Sequence, residues 1–384
     1  MGSEGSYEKI ASFVGRPGEI DLCVLLYSGG LDTSCMLKWI QENYGCDVIS
    51  LTLDIGQRTK DFDEIEKKAR KLGVKNHYKI DIKKEFAEEY IFRALKANAL
   101  YEDVYPVSTA IARPLMAKWG VEIAKDEGAD AIAHGCTGKG NDQVRFDISI
   151  MTLSPKLKIV SPVVEWNMTR KEEIEYAKLH GIPLEDDSPY SIDENLWGRS
   201  IECGILEHPE EEPPDDVFAW TVSPQAAPDK PEHVEIAFEK GIPVSLNGEN
   251  LEAVDLISQL NGIGGRHGVG RLDHMEDRIV GLKSREVYEC PAASILIQAH
   301  MDLEKSVSTR HEVMFKRLID QQWSILAYSG LWVDPLREDL EAFIDKVNEK
   351  VDGTVRTKLF KGHSTLVGRK SDSMLYDLTL ATYG

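Results

Sequence analysis

The stretch that decides the fold class is a loop with two glycines and several hydroxyl side chains, Leu26-Tyr27-Ser28-Gly29-Gly30-Leu31-Asp32-Thr33-Ser34. It follows an apolar run, Leu22 to Leu26, and opens a segment of helical period, Thr33 to Asn43. Glycines let backbone amides approach an anion, hydroxyls add donors, and the first turn of a helix offers N–H groups with a favourable dipole. The loop is therefore predicted to bind phosphate groups.

The same alternation of apolar runs and helical periods continues through the first half of the chain. Further predicted strands are Val48 to Leu53, His77 to Ile82, Ala131 to Ala133 and Lys158 to Val160. Further predicted helices are Phe62 to Leu72, Lys83 to Leu100, Arg113 to Glu127 and Arg170 to His180. Short apolar strands joined by helices indicate the α/β class, with a doubly wound, mainly parallel sheet that binds ligands at its carboxyl edge.

The pattern changes after Pro183 and predicts a second domain of α+β type. A predicted antiparallel hairpin pairs His233 to Phe238 with Ile242 to Leu246, and a late pair joins Thr354 to Phe360 with Ser364 to Gly368. The predicted helices are Leu251 to Leu260, Ala292 to Lys305, Arg310 to Tyr328 and Arg337 to Val351. We therefore expect an N-terminal extension at residues 1–18, a first domain at 19–183 and a second at 184–370.

Composition excludes several classes of protein. The formal net charge of −20 argues against a broad contact with nucleic acid or an anionic membrane, because like charges repel. No apolar run approaches the roughly 20 residues that cross a bilayer, and the polar start is unlike a signal peptide, so we expect a cytoplasmic protein. The six cysteines have no spacing typical of a metal site. Reduced, buried thiols are expected, with reactivity of Cys35 in a helical first turn as the alternative.

A second loop follows the predicted strand that ends at Ala133. It reads His134-Gly135-Cys136-Thr137-Gly138-Lys139-Gly140-Asn141-Asp142-Gln143-Val144-Arg145-Phe146. Loops that follow parallel strands meet at one edge of the sheet, so both loops are predicted to face one cleft. Lys139 and Arg145 supply the cations that an acidic protein needs wherever it binds carboxylate or phosphate.

The first loop resembles the S-G-G-x-D-[ST]-S signature of the ATP pyrophosphatases, or PP-loop enzymes, which cleave ATP between its α and β phosphates. Both loops together resemble the argininosuccinate synthase family, whose second loop usually has alanine where this chain has Cys136. The resemblance continues in collinear order through four further motifs, Thr109 to Pro114, Tyr190 to Leu196, Gly264 to Arg271 and Gly281 to Glu289. It therefore covers most of the chain.

This resemblance implies a role for individual residues. ATP is expected on Leu26, Tyr27, Ser28, Gly29, Gly30, Leu31, Asp32, Thr33, Ser34, Leu53 and Gly135. Aspartate is expected on Thr137, Asn141 and Asp142. Citrulline is expected on Tyr105, Thr109, Asn141, Arg145, Ser191, Ser200, Glu276 and Tyr288. Asp142, Lys139 and Asp32 are expected to take part in catalysis.

Two of these assignments depart from the family pattern. The segment around Ser200 differs from the usual sequence. Ala110 stands where many relatives place a serine near citrulline, so either Ser108 or Thr109 compensates or the contact is made differently.

The resemblance also implies the reaction and its participants. A ligase of this family joins citrulline to aspartate in arginine biosynthesis and the urea cycle, with ATP as substrate and Mg²⁺ bound with ATP, but without a protein-only metal site. The second domain would be its synthetase domain. A homotetramer is expected, weakened because residues 371–384 form only the start of the family's C-terminal arm. The alternatives are another PP-loop adenylating enzyme, either an amidating synthetase or a tRNA-modifying enzyme, and a non-catalytic ATP-binding regulator.

Overall fold

The computed structural model describes residues 13–58, 61–138, 140–166, 168–183 and 188–382. The chain divides into two compact units. The first unit contains the described residues of Met1–Leu53, Asp61–Ile80 and Met116–Asp187. The second unit contains those of Asp54–Lys60, Asp81–Leu115 and Ser188–Gly384. Two segments from the first third of the chain thus belong to the second unit.

Strands and helices alternate in the first half of the chain, and antiparallel strands are more frequent in the second half. The strands in the described residues are β1 (Leu22–Leu26), β2 (Asp47–Asp54), β3 (Asn76–Asp81), β4 (Ala131–Ala133), β5 (Lys158–Val160), β6 (Ser191–Asn195), β7 (Gly198–Glu202), β8 (Glu232–Glu239), β9 (Ile242–Leu246), β10 (Glu249–Asn250), β11 (Arg271–Asp277), β12 (Lys283–Glu289), β13 (Gly353–Phe360) and β14 (His363–Lys370).

The helices of the same residues are α1 (Leu31–Tyr44), α2 (Phe62–Lys71), α3 (Lys83–Glu85), α4 (Phe92–Lys96), α5 (Ser108–Glu127), α6 (Asn141–Leu153), α7 (Pro162–Trp166), α8 (Arg170–Leu179), α9 (Ala253–Arg266), α10 (Pro291–Val307), α11 (Arg310–Tyr328), α12 (Pro335–Asn348) and α13 (Leu378–Ala381). A π-helical turn, Phe86–Ile91, joins α3 to α4. Two 3-10 turns lie at Gly204–Glu207 and Asp215–Val217. None of the described helices combines the length and the hydropathy that a membrane-spanning segment requires.

The sheet of the first unit has the strand order β3-β2-β1-β4-β5. β1 is parallel to both β2 and β4, and β4 is parallel to β5. On one side, Leu25 lies in a buried cluster with Ile40 of α1 and Ala69 of α2. On the other side, a Cβ at Gly120 of α5 would lie only 3.4 Å from Leu26 Cδ2. Helices therefore cover both faces, which confirms the predicted doubly wound α/β sheet.

The second unit contains two sheets. The predicted hairpin and the predicted late strand pair join in one of them, with the order β10-β9-β8-β13-β14. The other has the order β11-β12-β7-β6 and is antiparallel throughout. The sequence analysis predicted none of its four strands. The reason is that one face carries charged and hydroxyl side chains, which interrupt the apolar pattern typical of a strand.

Two predicted helix boundaries in the first third of the chain differ from the structure by four residues or more. α5 begins at Ser108 rather than at Arg113, so Pro114 lies inside the helix, because complete burial of Ala110 and Ile111 outweighs the cost of an internal proline. The predicted helix from Lys83 to Leu100 ends earlier, at Lys96. There Asn98 adopts a left-handed backbone with φ of 44°, which a continuing α-helix does not allow.

The sequence analysis ended a predicted helix at Leu260, before the glycine-rich run from Gly262 to Arg271. In the structure α9 continues through Gly262, Gly264 and Gly265 and ends at Arg266. Packing explains why glycine is used here, because a Cβ at Gly265 would lie 2.1 Å from the backbone oxygen of Trp220. A turn follows after the end of α9, at Gly268 and Gly270, where φ is 71° and 97°.

The glycines of α9 provide a matched pair of substitutions. Gly265→Ala is expected to lower the free energy of unfolding by about 2 kcal/mol, because the added methyl group would force α9 away from the backbone of Trp220. Gly262→Ala meets no atom within 4 Å and is expected to raise it by about 0.5 to 1 kcal/mol, since alanine favours a helix interior. Urea unfolding followed by circular dichroism measures both. Changes of the same sign in the two variants would contradict this packing.

Candidate active site

The predicted phosphate loop lies at the carboxyl end of β1, where the chain enters α1. Gly29 has φ of 80°, and a Cβ there would lie 2.6 Å from Ile65 Cγ1, so glycine is required for two separate reasons. Gly30 is the N-cap of α1 and has no side chain that could accept from the first amides of the helix. A bound anion therefore meets no competing cap at this helix start.

The hydroxyl groups of this loop divide into two sets. Ser34 is fully buried, and its Oγ donates to the Gly30 oxygen at 2.8 Å and lies 2.9 Å from the Tyr27 hydroxyl. This set shapes the loop. Ser28 is exposed, and its Oγ lies 3.2 Å from Thr33 Oγ1. Ser28 and Thr33 are thus placed where a ligand can reach them.

The second loop leaves the same edge of the sheet, because β4 is the parallel neighbour of β1. A Cβ at Gly135 would lie 2.6 Å from Met36 Cε of α1, which shows how closely this loop approaches the first helix. Buried His134 orders the loop: its Nδ1 accepts from the Cys136 amide at 3.3 Å. Its Nε2 therefore carries the proton and donates to Asp147 Oδ1 at 2.9 Å.

Predicted aspartate ligands lie at the start of α6. Before the helix begins, the Gly140 amide donates to the backbone oxygen of Thr137 at 3.1 Å, which closes a tight turn. Asn141 and Asp142 occupy the first turn of α6, and Asp142 Oδ1 accepts from Arg145 Nη1 at 2.8 Å. This ion pair is largely buried on the arginine side and joins two predicted ligands of the first unit. Lys139 lies outside the described residues.

An ion-pair cluster that the sequence analysis missed lies beside the phosphate loop. Arg170 Nη1 donates to Asp32 Oδ1 at 2.6 Å and to Glu173 Oε2 at 3.0 Å. Burial, followed by the nearby charge of Asp32, raises the pKa of Glu173 to about 7. The capping box of Thr169 and Glu172 could have located the start of α8 from sequence. No local signal indicates that α8 approaches Asp32.

The cysteines agree with the prediction of reduced, mostly buried thiols. All six lie in the described residues, and none forms a disulfide. Cys35 is completely buried, and burial raises its pKa to about 12. The alternative of a reactive Cys35 is therefore wrong, because loss of hydration opposes the thiolate more strongly than the start of α1 favours it.

The remaining predicted residues belong to the second unit, and four of them share one face of the sheet β11-β12-β7-β6. The register pairs Ser200 with Tyr288 and Ser191 with Glu202. Directly paired residues, and residues two apart along a strand, point to the same side of a sheet. Ser191, Ser200, Tyr288 and Glu276 therefore project from one surface.

Glu276 is the centre of this surface. It is only 2% exposed, and its Oε2 accepts from the Tyr288 hydroxyl at 2.6 Å. The ring of Tyr105 stacks on that of Tyr288, with centroids 4.3 Å apart. The Tyr105 hydroxyl accepts from the Thr109 amide at 2.8 Å and lies 3.5 Å from Ser108 Oγ. Ser108 and Thr109 thus both contact Tyr105 where Ala110 offers no hydroxyl.

Two groups on or next to this face were not predicted from sequence. Glu202 and Glu286 share the guanidinium of Arg278, whose Nη2 lies 2.8 and 3.0 Å from their carboxylate oxygens. Burial, then the charges of Glu202 and Glu276, raise the pKa of Glu286 to about 8. Tyr328 of α11 donates to the second oxygen of Glu276. A sheet assembled from distant segments leaves no local signal for either group.

Comparison with known proteins identifies two family models along the chain. Residues 22–183 match the arginosuccinate synthase N-terminal HUP domain, and residues 190–384 match the arginosuccinate synthase C-terminal domain. Argininosuccinate synthase of Pyrococcus furiosus is 60% identical over 94% of this chain and 87% of its own length. That of Methanocaldococcus jannaschii is 56% identical over 94% of this chain and 91% of its own. A solved 4-thiouridine synthetase complex with RNA and ATP is 22% identical over 42% of this chain and 41% of its own, with a TM-score of 0.32.

The carboxylates of α8 give a prediction of stability against pH. The pKa of Glu173 is raised in the fold from 4.5 to about 7. Between these pH values the folded protein therefore binds more protons than the unfolded chain does. As pH rises through this window, Glu173 therefore lowers the free energy of unfolding by an increasing amount. Glu173→Gln is expected to gain about 1 kcal/mol over the native chain between pH 5 and pH 8, allowing for solvent screening.

Glu172 is the matched control for this prediction. Hydrogen bonds from the Thr169 amide and hydroxyl lower its pKa, so Glu172→Gln should lose stability relative to the native chain as pH rises. Urea unfolding of both variants at pH 5 and pH 8 measures the two trends. Equal trends for the neighbouring glutamates would contradict the assignment of opposite environments.

Proposed function

The chain belongs to the argininosuccinate synthase family, and we propose on that basis that it joins L-citrulline to L-aspartate, converting ATP to AMP and pyrophosphate. The observation that carries the proposal is the pair of loops at the carboxyl edge of β1 and β4. One loop has the glycine geometry of an anion site. The other adds amide and carboxylate groups at a helix start, as an amino-acid substrate requires.

We propose that ATP binds along the first loop. The glycine backbone at Gly29 and Gly30 and the start of α1 would receive the phosphates, with Ser28 and Thr33 as hydroxyl donors. Burial of Leu53 at the end of β2, beside β1, supports the assignment of this position to the base. The remaining residues of the ATP set are Leu26, Tyr27, Leu31, Asp32, Ser34 and Gly135.

We propose that the two amino acids bind to sets of residues that share only Asn141. Aspartate would bind to Thr137, Asn141 and Asp142. Citrulline would bind to Tyr105, Thr109, Asn141, Arg145, Ser191, Ser200, Glu276 and Tyr288. Within that second set Glu276 is the only carboxylate and Arg145 the only cation, so the first would receive the α-ammonium group and the second the α-carboxylate.

The chemistry follows from the weakness of a ureido carbon as an electrophile. The ureido oxygen of citrulline attacks the α-phosphorus of ATP, so an oxygen–phosphorus bond forms and pyrophosphate leaves. The aspartate amine then attacks the ureido carbon of this citrullyl-AMP, and the carbon–oxygen bond breaks to release AMP. Positioning and local charge would supply the catalysis. Asp142, Lys139 and Asp32 are the proposed participants, with Asp142 a candidate base for the aspartate amine.

We propose that Mg²⁺ arrives with ATP. Within the described ranges no group of three or more His, Cys, Asp or Glu side chains could hold a metal. A magnesium ion that keeps its phosphate ligands and waters needs only one or two protein carboxylates, and exposed Asp32 beside the loop fits that need. The ion would neutralise charge on the phosphates. Asp32 also accepts a hydrogen bond from Arg170 Nη1.

We also propose a homotetramer in the cytoplasm. Several large apolar side chains of the second unit are exposed: Met314, Phe315, Leu318 and Ile325 of α11, and Leu375, Tyr376, Leu378 and Leu380 further along. Such patches are typical of surfaces between subunits, and burial in an assembly would stabilise them. The cytoplasm maintains both ATP and reduced thiols, which suits cysteines without disulfides.

The first test follows pyrophosphate and argininosuccinate by mass spectrometry in the presence of ATP and Mg²⁺. Product is expected only when citrulline and aspartate are both added, because each supplies one partner of the new carbon–nitrogen bond. Omission of each substrate in turn is the control. Folded protein that binds ATP but releases no citrulline-dependent pyrophosphate would contradict the proposed function.

A second test separates the two amino-acid sites. Ser200→Ala is expected to raise the KM for citrulline roughly 3- to 10-fold, as loss of one neutral hydrogen bond does, and to leave the KM for aspartate nearly unchanged. Thr137→Ala is expected to give the reverse pattern, so that each variant controls for the other. Steady-state kinetics with one substrate varied at a time measures both constants. A rise in the same constant for both variants would refute the division.

A further inference from the structure

A second tyrosine, remote in sequence, contacts the carboxylate at the centre of the sheet face. Glu276 Oε2 accepts from the Tyr288 hydroxyl at 2.6 Å, and Oε1 accepts from the Tyr328 hydroxyl, also at 2.6 Å. Tyr328 is 1% exposed and Glu276 is 2% exposed. Each oxygen of a buried carboxylate thus has its own hydroxyl donor.

Two donors on opposite oxygens fix the plane of a carboxylate as well as its position. Hydrogen bonds to an ionised acceptor are short and roughly twice as strong as those between neutral groups. With only Tyr288 present, the carboxylate of Glu276 could rotate about its terminal bond, since such torsions are broad. Tyr328 restricts that rotation because it donates to the other oxygen.

Tyr328 is itself held firmly. Its ring stacks on Tyr101, with centroids 3.5 Å apart and planes within 4°, and meets the ring of Tyr105 edge-on at 6.2 Å. The segment that carries Tyr101 and Tyr105 is tied to α11 by Asn98, whose Nδ2 donates to Asp320 Oδ2 at 2.9 Å. These ring contacts therefore fix the direction in which the Tyr328 hydroxyl points.

Lys316 adds a second tie between the same two segments. Its fully buried Nζ donates to the Lys96 oxygen and to Asp320, both at 2.8 Å. Neither Lys316 nor Asp320 is part of the proposed substrate sites. Both side chains are buried, so their bonds fasten α11 to the segment that carries Tyr101.

We propose that Tyr328 is a positioning residue for citrulline, which orients the Glu276 carboxylate toward the α-ammonium group of that substrate. The inference rests on the proposed function, because it gives Glu276 the ammonium as its ligand. In this proposal Tyr328 acts through Glu276, to which its hydroxyl donates, and not on the reacting atoms. Its loss should therefore weaken citrulline binding and leave the binding of ATP and aspartate as it was.

The test compares the native chain with Tyr328→Phe, Glu276→Gln and the double variant. Tyr328→Phe removes one oxygen and keeps the ring on Tyr101, so the fold should persist, which thermal melting checks. We expect the KM for citrulline to rise roughly tenfold, as loss of a hydrogen bond to a charged group does, with kcat and the other two KM values within twofold. In the Glu276→Gln background the same substitution should change the citrulline KM less than twofold, because the oriented charge is already absent.

Tyr44→Phe is the matched control. Its hydroxyl donates to Glu165 Oε2 at 2.8 Å in the first unit, and neither residue belongs to a proposed substrate set. This variant should also lose some stability but leave the citrulline KM unchanged.

An unchanged citrulline KM in folded Tyr328→Phe would overturn the inference. So would an equal rise in all three KM values, or the same fold-change in both backgrounds. A native chain that makes no argininosuccinate would instead overturn the proposed function, and the inference with it.

Discussion

The constraint on which the site depends is the charge of the chain. A protein with a net charge of −20 repels ATP and aspartate at long range, so every favourable contact with these anions has to be local. In the proposed site these contacts lie at the carboxyl edge of the parallel sheet, where α1 and α6 both begin next to glycine-containing loops. Backbone amides carry no counter-charge of their own. Their dipoles attract phosphate, and they add no negative charge to a chain that already repels it.

The four-stranded sheet of the second unit shows how one element can serve stability and chemistry at once. Alternation along β12 places Val287 and Glu289 on one face and Tyr288 on the other. On the first face Glu289 is fully buried and accepts from Arg199, from the amides of Ala219 to Thr221 and from the Thr221 hydroxyl. On the opposite face Tyr288 and Glu276 form the polar surface. Because β12 carries both Glu289 and Tyr288, the buried hydrogen bonds of Glu289 also limit movement of Tyr288.

Much of this organisation could be predicted from the sequence because it is local. The parallel sheet follows from short apolar runs such as Val48 to Leu53, and the glycine loop between β1 and α1 follows from its place between an apolar run and a helical period. The family resemblance indicated Glu276 and Tyr288 as ligands of one substrate. It also indicated Lys139, which lies outside the described residues.

What could not be predicted depends on contacts between distant segments. Tyr328 reads as an ordinary core residue of α11, and only the folded chain shows that its hydroxyl reaches Glu276. The same holds for Arg170 beside Asp32. The four strands of the polar sheet escaped notice because strand signals rest on burial of apolar side chains, and here one face is charged. The predicted helix that corresponds to α9 ended too early for a related reason. Its glycine Gly265 allows close packing against Trp220 and does not mark a turn.

The central claim is that the ureido oxygen of citrulline becomes bonded to the α-phosphorus of ATP. The most direct measurement uses citrulline labelled with oxygen-18 in the ureido group and determines by mass spectrometry where the label lies after a single turnover. The account predicts one labelled oxygen in the phosphate of AMP, because the carbon–oxygen bond breaks only after the oxygen–phosphorus bond has formed. Label recovered in water or pyrophosphate, with unlabelled AMP, would contradict it.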